Sequence, residues 1–491
     1  MDKLWPSRGA VAGVIIYRVV NACVLQTYFV PDEYWQSLEV AHRLVFGFGH
    51  LTWEWKEGIR GYAHPLLFAL VYWLLKLFGL DSSFALGFCP RLVMGLFAAL
   101  SDLCVYRLTA GYLESPSAAT WAMLCSLTSW FSFYCMPRTL ANSLEAALIT
   151  VTLSIWFTSS SLRSSKCVWV CFSIGALSVL IRPTSAVVWL VVFGTHLVAA
   201  TNKLDFILLH VLPVAVIAAF VSVALDSYFY GKFVVALWNF FKFNVLYDLG
   251  SLFGTHPWHW YLSQGIPVVF GTHLPLCLLG VVNVPSRRLL LFVVMCCYVV
   301  IHSLLSHKEF RFMVPLLPLA AVYAGHFCST ISGKWRTTVL VSLIVFNTPV
   351  AVYTSLIHQR GTLSVMRYLD GEAQEGRVES VLFLMPCHST PLYSHFHHNI
   401  SLRHLDCSPS LDVDYVGEDD RFYGDPVNWL NESYSHEKEL PSHIVIYDLL
   451  EKELELLFGY KKYSKVEVFF HTHFHEKRIG QTVIVYRRWS H

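Results

Sequence analysis

Two adjacent carboxylates, Asp32 and Glu33, follow Pro31 at the end of a long apolar run, Val11 to Val30, and lead into Tyr34-Trp35-Gln36. Carboxyl groups at a low-dielectric boundary are well suited to taking a proton from a hydroxyl, so the pair can supply a general base. The same residues also suit a structural role, with Asp32 as a helix N-cap and Glu33 as a first-turn carboxylate. A second group, His307-Lys308-Glu309-Phe310-Arg311, gathers four titratable side chains in one short stretch. Arg311 can hold a phosphate by two hydrogen bonds, and His307 or Lys308 can add charge as that phosphate departs. Such a cluster also suits contact with lipid headgroups. Arg138, in Met136-Pro137-Arg138, and Arg182, in Ile181-Arg182-Pro183, stand beside helix interruptions. There an arginine either snorkels to the interface or turns toward a ligand. A base surrounded by convergent cations is what an anionic lipid-linked donor requires.

The elements that must hold these groups are membrane helices. The 491 residues are 55% hydrophobic and 14% charged, against about 25% charged in soluble domains. A net charge of +2 gives no field that points to nucleic acid. Apolar segments are predicted at about 10–29, 63–80, 86–110, 117–135, 139–158, 167–181, 183–200, 206–225, 264–282, 289–305, 313–331 and 337–357, for a total of about 11 to 13. The first run has no small-residue cleavage motif and follows Lys3 and Arg8, so it reads as a retained anchor with a cytosolic N-terminus. Arg163 and Lys166, Lys203, Arg287 and Arg288, and Lys334 and Arg336 fall in short loops that an alternating path puts in the cytosol. Arg182-Pro183-Thr184 and the 307–312 loop are then luminal.

Three apolar segments between Tyr62 and Met136 break that alternation. Segment 86–110 carries Arg91, Asp102 and Arg107, and a charge at mid-span costs a few kcal/mol. It is therefore expected to fail to cross, or to enter and return, with Asp102 paired to Arg91 or Arg107.

Residues 31–62 form the first luminal loop. Tyr34, Leu38, Ala41 and Val45 recur opposite Gln36, Glu39 and Arg43, which predicts a helix lying in the interface with Trp35, Trp53 and Trp55 at headgroup depth. Residues 226–262 form a second, aromatic-rich luminal loop. From His358 the composition turns charged, with strand-like runs at Val378–Met385, His443–Asp448, Val466–His471 and Thr482–Arg487. The chain thus divides into a membrane domain, 1–357, and a small α/β tail, 358–491. Asn399 and Asn431 open Asn-x-Ser sequons that suit a luminal tail. Most of the 13 cysteines, including Cys23, Cys104, Cys125, Cys171, Cys296 and Cys297, sit in apolar segments as small fillers. Cys387 and Cys407 lie in the tail, where pairing is open. His388, His395, His397, His398 and His404 match no zinc spacing and read as surface or substrate-loop histidines, with no metal or other cofactor expected.

The Asp32-Glu33 pair and the His-Lys-Glu-Phe-Arg-Phe loop at 307–312 resemble the polytopic mannosyltransferases that use dolichyl-phosphate mannose in the endoplasmic reticulum lumen. Val30-Pro31-Asp32-Glu33-Tyr34-Trp35-Gln36-Ser37-Leu38-Glu39-Val40, Leu51-Thr52-Trp53-Glu54-Trp55 and Met385-Pro386-Cys387-His388-Ser389-Thr390-Pro391 are similar to the branch that builds glycosylphosphatidylinositol (GPI) anchors. The resemblance covers nearly the whole chain. It implies a GT-C fold, a luminal active site and an inverting transfer of an α-1,2-linked mannose to a two-mannose GPI precursor, by a monomer. It further implies Asp32 as base, Glu33 orienting or substituting, and a donor site at His307, Lys308, Glu309, Arg311, Arg182, Arg138 and Gln36. Members of the N-glycan branch share the acidic pair and the cationic loop, so the acceptor rests on the first-loop and tail residues. A transporter or scramblase is the competing class, and a non-catalytic subunit that presents lipid to a partner is a third. No inverted repeat supports the transporter reading, and no Gly-rich phosphate loop is present.

Overall fold

In a computed structural model the chain is described over residues 4–158, 165–409 and 415–489; Lys3 and Arg163 lie outside them. The apolar segments are helical, as hydrocarbon requires, because each backbone N–H must find its acceptor inside its own segment. Among the described residues, four helical stretches are long and apolar enough to cross a bilayer: Ser83–Tyr112, Lys203–Tyr230, Phe310–Thr330 and Gly333–Gln374. A fifth counts if the bent pair Tyr261–Phe270 and His273–Asn283 is one span. Shorter apolar helices occupy Ala63–Leu77, Lys166–Ile181, Pro183–Ala199 and Leu290–Leu304.

Two expectations about these segments change. Ser83–Tyr112 is one continuous helix of 30 residues, about 45 Å long, so it neither stops short nor turns back. Its acid is neutralised from a distance in sequence: Asp102 pairs with Arg18, Nε to Oδ2 at 2.6 Å, and not with Arg91 or Arg107. The segment that does break is 264–282, which bends by 103° where Gly271 adopts φ +51°.

Contacts divide the chain into two compact units. One comprises Met1–Cys23, Glu57–Leu66 and Pro90–Ala351. Small residues let its helices approach closely: a Cβ at Gly280 would collide with the Tyr323 carbonyl, and one at Gly325 with the backbone of Ala122.

The other unit comprises Val24–Lys56, Leu67–Cys89 and Val352–His491. The α/β tail is therefore joined in one unit by the segment that carries Asp32 and Glu33. Its sheet runs β2(Ser401–His404)-β1(Ser380–Leu384)-β3(His443–Tyr447)-β5(Thr482–Arg488)-β4(Tyr463–Phe470). β1 is parallel to β2 and β3, and β5 is antiparallel to β3 and β4. Leu382, Leu384, Ile444, Ile446 and Ile484 share a core with Trp429 and Leu430 of the Pro426–Ser433 helix and Leu454 and Phe458 of the Glu451–Tyr460 helix. Four strands fall where the strand-like runs predict them. β2, Ser-Leu-Arg-His at an edge, is too short and polar to announce itself.

Candidate active site

Pro31 opens the turn that carries the acidic pair: its carbonyl accepts from both Tyr34 N and Trp35 N at 3.0 Å. Asp32 is half-buried and Glu33 wholly buried. Tyr34–Leu38 then forms a π-helical turn before an α-helix, Glu39–Phe46. Such turns insert a residue relative to α-helical spacing and recur at functional sites. The expected helix forms, but its facing differs, because the insertion turns Glu39 from the predicted polar face into the protein.

Glu39 has no exposure. Its Oε1 accepts from Leu392 N (2.8 Å), Ser394 N (3.2 Å) and Ser394 Oγ (2.6 Å), and Oε2 from Tyr393 N (3.0 Å). Burial pushes its carboxyl up, the four donors pull it down, and burial prevails. Trp35 and Trp55 are likewise interior residues, packed inside the protein in place of facing lipid headgroups: Trp35 Nε1 donates to Thr390 O at 3.0 Å, and Trp55 Nε1 to Trp35 O at 3.2 Å. Gln36 donates to Glu54 Oε2 at 3.3 Å.

The histidines expected at the surface or on a substrate loop are half-buried and engaged. His388 and His404 pack on Trp35 at ring distances of 4.5 and 5.2 Å, beside His50. Burial, helped by the neighbouring histidines, pushes His388 down to about 3 and His50 to about 4, so both are neutral. His397 Nδ1 meets His42 Nε2 at 2.8 Å, His398 faces Asp370 Oδ1 at 3.2 Å, and His395 packs edge-on against Tyr34. Among the described residues no three His, Cys, Asp or Glu side chains are grouped to hold a metal. Cys387 and Cys407 form a disulfide. Asn399 and Asn431 are exposed.

The cationic residues lie in the other unit. Glu309 binds Arg311 with both oxygens, Nε to Oε2 at 2.7 Å, and meets His307 Nε2 at 3.0 Å. Burial pushes the His307 ring down, but the hydrogen bond and charge of Glu309 outweigh it and leave the ring above its usual value. Burial pushes Glu309 up, while Arg311 and His307 hold its carboxyl well below the usual carboxylate range. Lys308 is buried, and its ammonium donates to the carbonyls of His256 (3.0 Å) and Leu305.

Arg182 lies over the Phe312 ring at 5.1 Å, with Nε 3.2 Å from Glu145 Oε2 and Nη1 3.2 Å from Asn142 Oδ1. Tyr298 donates to Glu145 Oε1 at 3.2 Å. Arg138 is fully buried, with Nε on Tyr134 O at 2.9 Å and its guanidinium 4.2 Å from the Tyr134 ring. Glu145 is the partner that sequence reasoning missed, and the signal was available as a lone acid inside an apolar segment.

The path of the chain is that of membrane glycosyltransferases with the GT-C fold. ArnT from Cupriavidus metallidurans, solved bound to undecaprenyl phosphate, is similar with a TM-score of 0.62 over 97% of both chains at 12% identity. The Archaeoglobus fulgidus oligosaccharyltransferase reaches 0.53 over 93% of this chain and 72% of that one at 13% identity. At such identities the likeness is one of fold.

Sequence narrows the class. The Alg9-like mannosyltransferase family matches residues 10–397. GPI alpha-1,2-mannosyltransferase 3 of Danio rerio is 44% identical over 482 residues, covering 97% of this chain and 89% of that protein. The Homo sapiens protein of the same name is 40% identical over 502 residues, covering 99% and 90%. The chain belongs to the Alg9-like mannosyltransferase family and is a glycosyltransferase.

Proposed function

We propose that this chain transfers mannose in α-1,2 linkage from dolichyl-phosphate mannose to the second mannose of a GPI precursor, adding the third mannose as a monomer in the endoplasmic reticulum membrane with its active site in the lumen. The observation that carries this reading is the identity of 44% and 40%, over 97% and 99% of the chain, with relatives named for that transfer. The Cys387–Cys407 disulfide and the exposed Asn399 and Asn431 sequons support a tail in an oxidising, glycosylating compartment.

Asp32 takes the proton of the acceptor hydroxyl as its oxygen attacks the anomeric carbon. The bond from that carbon to the phosphate oxygen breaks, the configuration inverts, and dolichyl phosphate leaves with the electron pair. Asp32 suits this role better than Glu33 because it is half-buried, whereas Glu33 is closed to an incoming hydroxyl. Glu33 fixes the turn that presents its neighbour, and Gln36 extends that frame through Glu54.

Arg311 and His307 stabilise the departing phosphate, with Glu309 orienting both side chains. Lys308 holds the loop by its carbonyl contacts. Arg182, braced by Glu145, and Arg138 add positive charge. A positioned base contributes about 10²–10⁴-fold, and alignment of the two lipid substrates up to about 7–11 kcal/mol.

The test is transfer of labelled mannose from dolichyl-phosphate mannose by purified wild type, Asp32→Asn and Glu33→Gln. The acceptors are a two-mannose GPI precursor and N-glycan lipid intermediates. Wild-type transfer to the GPI lipid alone, lost in Asp32→Asn, is expected. An active Asp32→Asn beside an inactive Glu33→Gln would reverse the two roles, and transfer to the N-glycan lipid would move the chain to the sibling branch.

A further inference from the structure

Two arginines outside this machinery stand at an open hollow. Leu356 ends the Gly333–Leu356 helix, and after a turn at 357–360, where Gln359 adopts φ +63°, the Gly361–Gln374 helix follows within one stretch of 42 residues. Just past the apolar part, Arg360, Ser364, Arg367 and Tyr368 line a hollow of about 530 Å³ together with Ile357 and Phe470. Its other wall is β4, where the Phe469 ring lies 5.8 Å from that of Tyr368.

Both arginines are exposed, and among the described residues neither is in an ion pair. By contrast Arg377, Arg403, Arg478, Arg487 and Arg488 of the same tail each meet a carboxylate. Seven residues is about two helical turns, so Arg360 and Arg367 project to one side about 10 Å apart along the axis. The hollow's edge is apolar and open as well: Ile357, Val468 and Phe470 are 39, 43 and 42% exposed.

Read with Gly333–Leu356 as a membrane span, these features coincide at one depth. Ile357 stands where hydrocarbon ends and Arg360 where phosphates begin, and an arginine reaches toward that layer along its methylene stem. The volume lies within the about 300–1,000 Å³ of small-molecule sites.

We propose that this hollow binds an anionic phospholipid of the adjoining leaflet, with its phosphate between Arg360 and Arg367 and the start of an acyl chain over Ile357 and Phe470. The arginine pair supplies charge and bidentate hydrogen bonds, and the apolar edge makes the site one for a lipid in place of a soluble phosphate. The site is independent of the acidic pair and of the proposed transfer.

Native mass spectrometry of the full chain in detergent, titrated with phosphatidylglycerol or phosphatidylcholine, tests the proposal. Wild type is expected to hold one phosphatidylglycerol in preference to phosphatidylcholine, and Arg360→Gln/Arg367→Gln to bind it about 25-fold more weakly, at about fivefold per cation. Phe470→Asp, which adds a carboxylate beside the phosphate, is expected to weaken it too and stands in if the arginine variant melts early. Equal binding of both lipids by wild type, or undiminished phosphatidylglycerol binding by the folded variants, would overturn the site. Displacement of the lipid by millimolar inorganic phosphate would make it a soluble-phosphate site and overturn the lipid assignment.

Discussion

Replacing Asp102 by Asn should destabilise the membrane unit severely, while replacing Asp102 and Arg18 together should not. The pair is almost sealed, at 1 and 3% side-chain exposure, and joined twice: Nε to Oδ2 at 2.6 Å and Nη2 to Oδ1 at 3.2 Å. Ser126 Oγ adds a bond to Oδ1 at 2.7 Å, and Arg18 Nη1 reaches Asn21 Oδ1 and Ser132 O at 3.0 and 3.2 Å. Asn keeps the shape but strands a guanidinium that cannot lose its proton, and stranding one member of a buried pair costs about 3–5 kcal/mol. Arg18→Met strands a carboxylate that can take up a proton, so it should cost less. Arg18→Met/Asp102→Leu removes both charges and should fall between neutral and about 4 kcal/mol stabilising. The assay is thermal unfolding of the full chain in detergent, followed with a thiol-reactive fluorophore that reports the buried free thiols Cys104, Cys125 and Cys135 of the same unit. Wild-type melting of Asp102→Asn, or a double variant as damaged as the sum of its singles, would refute the reasoning.

Glu39→Gln keeps one oxygen for three donors but aims an amide N–H at Tyr393 N, so it should cost about 1–3 kcal/mol, and Glu39→Ala more. Limited proteolysis of the tail reads this, and wild-type resistance of both variants would count against it. The His307 ring should titrate above 6.5 in wild type and lower in Glu309→Gln, seen by chemical-shift titration; an unchanged midpoint would remove Glu309 as the cause. The sign follows: stability from the raised His307 is fully present below 6.5 and fades as pH rises through its folded value, while that from the lowered Glu309 is present above 4.5 and fades only well below it. Cys387→Ser/Cys407→Ser opens a loop of 20-residue separation and should destabilise the tail by about 3 kcal/mol. Unchanged melting would show that the bridge adds nothing.

Hydropathy alone revealed the membrane helices, and short runs rich in β-branched and aromatic residues revealed four of five strands, because both patterns are local. What stayed hidden was set by partners far along the chain. Nothing near Asp102 announces that Arg18, 84 residues earlier, neutralises it. Helical spacing assigned Glu39 to the polar face because it assumes 3.6 residues per turn throughout, and the π-turn at Tyr34–Leu38 breaks that assumption. Asp32 and Arg311 drew a chemical reading because charge beside apolar runs is costly and needs a use. Glu145, equally costly, was passed over, although it is the carboxylate that holds Arg182.

The four bonds that Glu39 accepts join positions 353 to 355 residues apart in sequence. At synthesis rates of about 5–20 residues per second, the helix bearing the acidic pair waits about 20–70 s between leaving the ribosome and meeting the turn that satisfies its buried carboxylate. During that interval Glu39, Trp35 and their neighbours lack their native cover, and every later span must insert first. A premature stop anywhere before Leu392 would therefore disable the beginning of the protein as thoroughly as its end, leaving the first loop a substrate for quality control.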